Sequence, residues 1–130
     1  MPPDHDIAFL LDLCGRIMLT HALDPDLACR ALGITDNDAR FMIAGEPPTF
    51  TLEADQAVRL PLFANILVRL EVRFRHDGDA MRAALCLPLA ALDGAAPADL
   101  LGGGVKALLD IRASIDSMAV PTVRWWRIGH

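Results

Sequence analysis

Three acidic triplets are the part of this sequence that comes nearest to a cation site by residue type and spacing. They are DHD at 4–6, DPD at 24–26 and DND at 36–38. A calcium loop of the EF-hand type alternates oxygen ligands, turns at a glycine and ends in a distant glutamate, and none of the triplets continues in that way. Aspartate also accepts hydrogen bonds from the free amides at helix N-termini. We therefore interpret the triplets as helix caps and predict no metal site.

Histidines and a glycine run are the other candidates for chemistry. The histidines, His5, His21, His76 and His130, are scattered and share no motif with a cysteine or a pair of acids. The string GGGVK at 102–106 lacks the spacing and the Lys-Ser/Thr pair of a phosphate loop. A weak anion site at the following helix N-terminus stays open. Because no nucleophile, base and orienting group stand at a usable spacing, we predict no catalysis.

The cysteines and the hydropathy limit the class of protein. Cys14, Cys29 and Cys86 are odd in number and far apart, which argues against disulfides and zinc motifs, and we expect them to be buried small hydrophobic residues. Hydrophobic residues make up 53% of the chain. Arg or Asp nevertheless interrupts every apolar run before the roughly 18 residues that span a membrane. The acidic start MPPDHD does not resemble a secretory signal, so we predict a cytoplasmic protein without a membrane partner.

Charge is distributed unevenly along the chain. The formal net charge is −5, but the acidic excess lies in the first 55 residues and the remainder is mildly basic. Ordinary solvated faces explain this pattern, and so do two interaction surfaces of opposite sign. We favour solvated faces for the acidic half, and both interpretations stay open for the basic half.

Helical spacing and helix stops predict an all-α fold. Apolar residues recur at helical spacing from 7 to 18. Asp24 is placed to cap a second helix that Gly33 ends, and Thr35 to cap a third helix over 36–44. Two short helices joined by a tight turn that contains glycine have the outline of a helix-turn-helix.

The second helix of this outline has weak chemistry for DNA. Its exposed candidates are two aspartates, Asn37 and Arg40, so two carboxylates would approach the phosphates with one guanidinium to offset them. A DNA-binding protein of this sequence would place Asn37 and Arg40 on bases and Arg69, Arg73 and Arg75 on phosphates. Direct DNA binding is therefore the second of our two hypotheses, and the unit can instead serve as a scaffold or in dimerisation.

A long helix is predicted after Pro47 and Pro48. Thr51 is its expected cap, and the helix would read LEADQAVRLPLFANILVRLEVRFR. Pro61 falls inside this run and is expected to kink or split the helix, because proline removes one backbone hydrogen bond.

The stretch from 84 to 119 is the most informative part of the chain, because prolines and glycines divide it in a fixed order. Pro88 follows a short apolar run, and Gly94 closes the next segment. Pro97 stands where a new helix would begin, since proline needs no amide partner at the first helical position. The run 102–104 then ends that helix before a longer amphipathic one, because glycine takes the left-handed conformation at a helix stop.

This order resembles the C-terminal toxin-binding domain of the Xre/MbcA/ParS group of bacterial antitoxins. The matching positions are Pro88, Leu92, Gly94, Pro97, Leu100, Leu101 and Gly104. The apolar face of the last helix continues with Val105, Leu108, Leu109 and Ile111. The turn LGIT at 32–35 likewise resembles the turn before the recognition helix in the N-terminal domain of that family. The chain departs from the family at Ala84, where a tryptophan is common.

The resemblance implies a function in binding. It implies an antitoxin that neutralises a cognate RES-domain, NAD-consuming toxin, that forms a homodimer and that needs no cofactor. The toxin-binding residues would be Pro97, Leu100, Leu101 and Gly104, together with the tail. The alternative is a stand-alone helix-turn-helix transcription regulator.

The tail VPTVRWWRIGH differs from everything before it. It holds both tryptophans of the chain, Trp125 and Trp126, between Arg124 and Arg127. Trp and Arg are enriched among binding hot spots, which favours a partner contact. Folding of one tryptophan back over the core is an equal alternative. The predicted organisation is thus a helix-turn-helix-like unit over 1–48, a linking and dimerisation helix over 49–78, and a small helical toxin-binding domain with the tail over 79–130.

Overall fold

The protein is all-helical, as the sequence predicts. A computed structural model describes residues 4–46 and 51–120, and in those two ranges the chain forms seven α-helices and three short 3-10 turns. An isolated β-bridge joins Leu89 and Ala95. The helices are α1 (Asp4–Thr20), α2 (Pro25–Leu32), α3 (Asp36–Ala44), α4 (Ala54–Arg73), α5 (Gly78–Cys86), α6 (Pro97–Leu100) and α7 (Val105–Ser114). The 3-10 turns are Ala90–Leu92, Leu101–Gly103 and Ile115–Ser117.

Local capping chemistry sets the ends of α2 and α3 where the sequence places them. The Asp24 carboxylate accepts a hydrogen bond from the amide of Asp26 at 2.9 Å, and Gly33 ends α2 with φ at 68°. The Thr35 hydroxyl accepts one from the amide of Asp38 at 3.1 Å. Because such caps satisfy amides that have no partner inside the helix, they fix the residue at which each helix begins.

The start of α4 corrects the predicted cap, and its course past Pro61 excludes the predicted split. Its cap is Glu53 and not Thr51, because the side chain of Gln56 accepts a hydrogen bond from the Glu53 amide at 2.8 Å. Pro61 lies inside α4 and does not split it. The proline is exposed, and the helix lacks only the backbone hydrogen bond that an amide at this position would donate.

Helix α4 is the centre of the packing. Both α1 and α7 pack on it, and it contributes Leu60, Phe63, Ile66, Leu67 and Leu70 to the buried core. Buried residues from all three predicted segments, from Leu11 to Met118, belong to one cluster. All three predicted regions contribute to this core, and their division into separate units stays a prediction.

Two helix boundaries in the stretch 84–119 lie at predicted residues. Pro97 is the first residue of α6, and Gly104 has φ at 91° immediately before α7. The amide of Leu89 donates to the carbonyl of Ala95 at 3.1 Å and closes the short loop between them. Ala84 is buried. Among the described helices, none combines the length and the apolar character that crossing a bilayer requires.

Candidate functional site

The predicted toxin-binding residues divide into surface and core. Pro97 and Leu101 are buried, Leu100 is half-buried, and Gly104 is partly exposed. The two buried side chains hold α6 and the following turn against the core, so in this conformation they support a surface and do not form one. Arg124, Trp125, Trp126 and Arg127 lie outside the described residues.

A groove lies beside α4, next to the point where the tail leaves the described chain. Its volume is about 900 Å³. The residues that matter for partner chemistry are three arginines and two exposed apolar side chains. They are Arg69, Arg73, Arg75, Val72 and Val120. Asp77 and Asp116 line it too, so the groove combines an excess of one positive charge with apolar surface, and the tail begins at its edge.

Arg73 is committed to a structural contact in this groove. Its Nη2 donates to the carbonyl of Met118 at 2.6 Å, and its buried Nε has no hydrogen-bond partner within the described part of the chain. Arg69 is exposed, and its guanidinium stands 4.0 Å from the carboxylate of Asp116, whose side chain is also exposed. Such a pair contributes little to stability, so Arg69 is the arginine that a partner can engage at small cost.

The predicted DNA-contacting residues of α3 do not line this groove. Asn37 is exposed and Arg40 is exposed. The Arg40 Nε is 2.7 Å from Asp36 Oδ2, and this hydrogen bond raises the pKa of the Arg40 guanidinium. Because α3 carries two aspartates beside its one arginine, the helix presents a weak surface to phosphates. The structure thus brings Arg69 and Arg73 together and leaves Asn37 and Arg40 on another helix.

A cluster of His21, Glu71 and His76 is a feature that sequence spacing does not reveal. His21 Nε2 is 2.7 Å from Glu71 Oε2, and His76 Nδ1 is 3.3 Å from the same oxygen. The ring centroids of the two histidines are 6.1 Å apart. His21 and Glu71 are separated by 50 residues in the sequence. The one sequence feature that could have indicated the cluster is that both histidines lie just after a helix. His21 follows the last residue of α1, and His76 stands three residues beyond the end of α4.

The three cysteines differ in burial, which corrects the prediction that all of them are buried. Cys14 is buried, Cys29 is intermediate and Cys86 is exposed. Cys86 is the last residue of α5, where the helix ends and its final side chain leaves the core. Burial raises the pKa of the Cys14 thiol from 9.0 to about 12, so this residue behaves as a small hydrophobic side chain.

A second pocket of about 740 Å³ is mostly apolar. The residues that line it include Met18, Leu23, Ile43, Leu85 and Cys86.

The chain matches no protein-family model, no curated protein and no solved structure.

Proposed function

We propose that this chain is the antitoxin of a two-component toxin–antitoxin module of the Xre/MbcA/ParS type. It would neutralise a RES-domain, NAD-consuming toxin by binding it, without catalysing a reaction itself. The observation that carries the proposal is the order of prolines, leucines and glycines from Pro88 to Gly104. In the same stretch α6 begins at Pro97 and α7 begins directly after Gly104.

The groove beside α4 and the tail are the surface proposed to contact the toxin. Arg69 and Arg75 supply positive charge there, while Val72 is 70% exposed and Val120 is 40% exposed. Exposed apolar groups next to arginines favour a protein partner with acidic and apolar groups. We propose that Trp125 and Trp126 of the tail contact the toxin as well and help to cover its active site.

Self-association is part of the proposal. Large apolar side chains are exposed on α1 and α4, where Phe9, Leu19 and Val58 are each more than half exposed. Burial of such groups between two copies would remove apolar area from water. We propose a homodimer that assembles with the toxin into a larger complex.

Co-expression tests the toxin interaction. The chain should rescue growth from a RES-type toxin encoded beside its gene and should co-purify with that toxin. W125A/W126A should weaken the complex by about 30- to 700-fold, which corresponds to about 2 to 4 kcal/mol for hot-spot residues. R124A/R127A should weaken it as well. The matched double variant R16A/R40A removes two exposed arginines from α1 and α3 and should leave the affinity unchanged.

Two outcomes would contradict this proposal. One is that growth is not rescued and no complex is retained with the neighbouring toxin. The other is that R16A/R40A weakens the complex as much as R124A/R127A does, because the effect would then reflect overall charge and not the tail.

The alternative is a helix-turn-helix regulator, and autoregulation by the antitoxin belongs to the same question. The ion pair between Arg40 and Asp36 and the hydrogen bond from Arg73 to Met118 both disfavour it. Binding to promoter DNA of its own gene at several salt concentrations separates the two hypotheses, because phosphate contacts release counterions. A salt-dependent complex that R40A and R69A weaken, without any toxin contact, would favour the regulator.

A further inference from the structure

The cluster of His21, Glu71 and His76 joins three parts of the fold. His21 lies directly after α1, Glu71 lies in the last turn of α4, and His76 lies in the turn that leads to α5. One nitrogen from each imidazole and one carboxylate oxygen all lie within 4.8 Å of one another. From this juxtaposition we infer that His21, Glu71 and His76 bind a divalent transition-metal ion of the zinc type.

The donor set selects the class of ion. Two imidazole nitrogens and one carboxylate oxygen suit zinc, nickel, copper or cobalt, whereas magnesium and calcium prefer oxygen ligands alone. Three protein ligands also leave a fourth tetrahedral position for water or for a side chain of a partner. The set is therefore that of an open site and not of a closed structural one.

One of the distances between the ligand atoms already suits a tetrahedral ion, and small shifts would bring the others to it. Bonds of about 2.0 Å to nitrogen and oxygen place neighbouring ligand atoms about 3.3 Å apart. His76 Nδ1 and Glu71 Oε2 are 3.3 Å apart. His21 Nε2 and Glu71 Oε2 are 2.7 Å apart, which is the length of a hydrogen bond. An ion would replace the proton between these two atoms and separate them by roughly 0.6 Å to reach the same tetrahedral spacing.

The backbone holds the ligands in place before an ion binds. The amide of His76 donates to the carbonyl of Glu71 at 2.8 Å, which ties these two ligands together. The turn that carries His76 is left-handed at two successive residues, with φ at 52° for Arg75 and 61° for His76. On the other side, Arg82 of α5 donates to the carbonyl of His21. Ordered ligands of this kind lose little conformational freedom on binding.

The exposed side chain of His76 gives an ion a path into the cluster. The side chain of His21 is 4% exposed and that of Glu71 is 17% exposed, whereas that of His76 is 68% exposed. Two ligands thus form the floor of the site, and His76 closes it from the solvent side. Since the site links the ends of α1 and α4 to the start of α5, the ion would stabilise the folded chain in proportion to its affinity.

Metal titration of the full chain tests the inference. Protein stripped with a chelator is titrated with ZnCl₂ in competition with a chromogenic chelator, and with CoCl₂ to record the visible bands of tetrahedral cobalt. One equivalent should bind, the cobalt bands should appear, and the melting temperature should rise with zinc. H76Q should bind at least about tenfold more weakly and should lose the cobalt bands. E71Q should do the same.

Matched controls distinguish binding at this site from nonspecific metal binding elsewhere on the chain. The chain has two other histidines and one exposed cysteine, so H5Q/H130Q/C86S should bind zinc as the wild type does. Zinc should also protect His76 of the wild-type protein from diethyl pyrocarbonate, which gives a readout that needs no variant to fold. Absence of one-equivalent binding, equal binding by H76Q, loss of binding in the control variant, or modification of His76 at the same rate with zinc would each overturn the inference.

Discussion

At the scale of single residues, burial decides which thiols can react. Cys14 is buried and Cys86 is exposed. Burial raises the pKa of Cys14 to about 12, so its thiol stays protonated at pH 9 in the folded chain. We expect a disulfide reagent to label Cys86 within minutes and Cys14 only after unfolding. Mass spectrometry of labelled peptides measures this, and early labelling of Cys14 in native protein would contradict the buried position.

Gly15 permits a close approach between α1 and α3. A Cβ atom built there would overlap the carbonyl oxygen of Met42 and lie 2.8 Å from its carbonyl carbon. Alanine normally stabilises a helix relative to glycine by about 0.5 to 1 kcal/mol. Here G15A should instead lower the free energy of unfolding by about 1 to 3 kcal/mol, because a backbone group must move.

Urea denaturation followed by circular dichroism measures the effect of G15A. Its matched control is G102A, whose added Cβ would come no closer than 3.8 Å to the carbonyl oxygen of Arg30. G102A should change the free energy of unfolding by less than about 0.5 kcal/mol. Equal stability of G15A and G102A would show that α1 and α3 do not meet at Gly15.

At the scale of helices, caps decide where elements begin. Thr35 caps α3, whereas Thr51 is exposed and lies two residues before Glu53, the cap of α4. T35A should lower the free energy of unfolding by about 1 kcal/mol, because the amide of Asp38 loses its acceptor. T51A should change it by less than about 0.5 kcal/mol. If T51A cost more than T35A in urea denaturation, the assignment of the caps would be wrong.

A hydrogen bond joins α4 to the end of the described chain. Arg73 donates to the carbonyl of Met118 at 2.6 Å, while Arg69 faces the exposed Asp116 at 4.0 Å. R73M should lower the free energy of unfolding by about 1 to 2 kcal/mol, since a buried carbonyl loses a charged donor. R69M should stay within about 0.5 kcal/mol of the wild type. Thermal denaturation of the two variants compares them. A smaller loss of stability in R73M than in R69M would contradict a stabilising hydrogen bond from Arg73 to Met118.

At the scale of the whole molecule, one core joins the predicted segments. Buried residues from Leu11 to Met118 form a single cluster around α4. We therefore expect one cooperative thermal transition, with an unfolding enthalpy of about 90 kcal/mol from about 0.7 kcal/mol per residue. Calorimetry measures it, and equality of the calorimetric and van't Hoff enthalpies is the check. Two separate transitions would instead support independent units over 1–48 and 79–130.

The sequence by itself determined the all-α class and most helix boundaries. Caps such as Asp24 and Thr35 and stops such as Gly33 and Gly104 act on backbone groups within a few residues, so their effect is visible in the local sequence. The unbroken course of α4 through Pro61 was not visible in this way, because the side of the helix that faces solvent depends on its neighbours.

Only the tertiary structure decided which residues meet. It buried Pro97 and Leu101, which the sequence offers as contact residues. It also turned Arg73 towards Met118, 45 residues away, and brought His21 to Glu71 across 50 residues. Such contacts depend on how helices pack around α4, and no spacing along the chain encodes that arrangement. The resemblance to an antitoxin therefore comes from the sequence, whereas the arginine groove and the histidine cluster come from the fold.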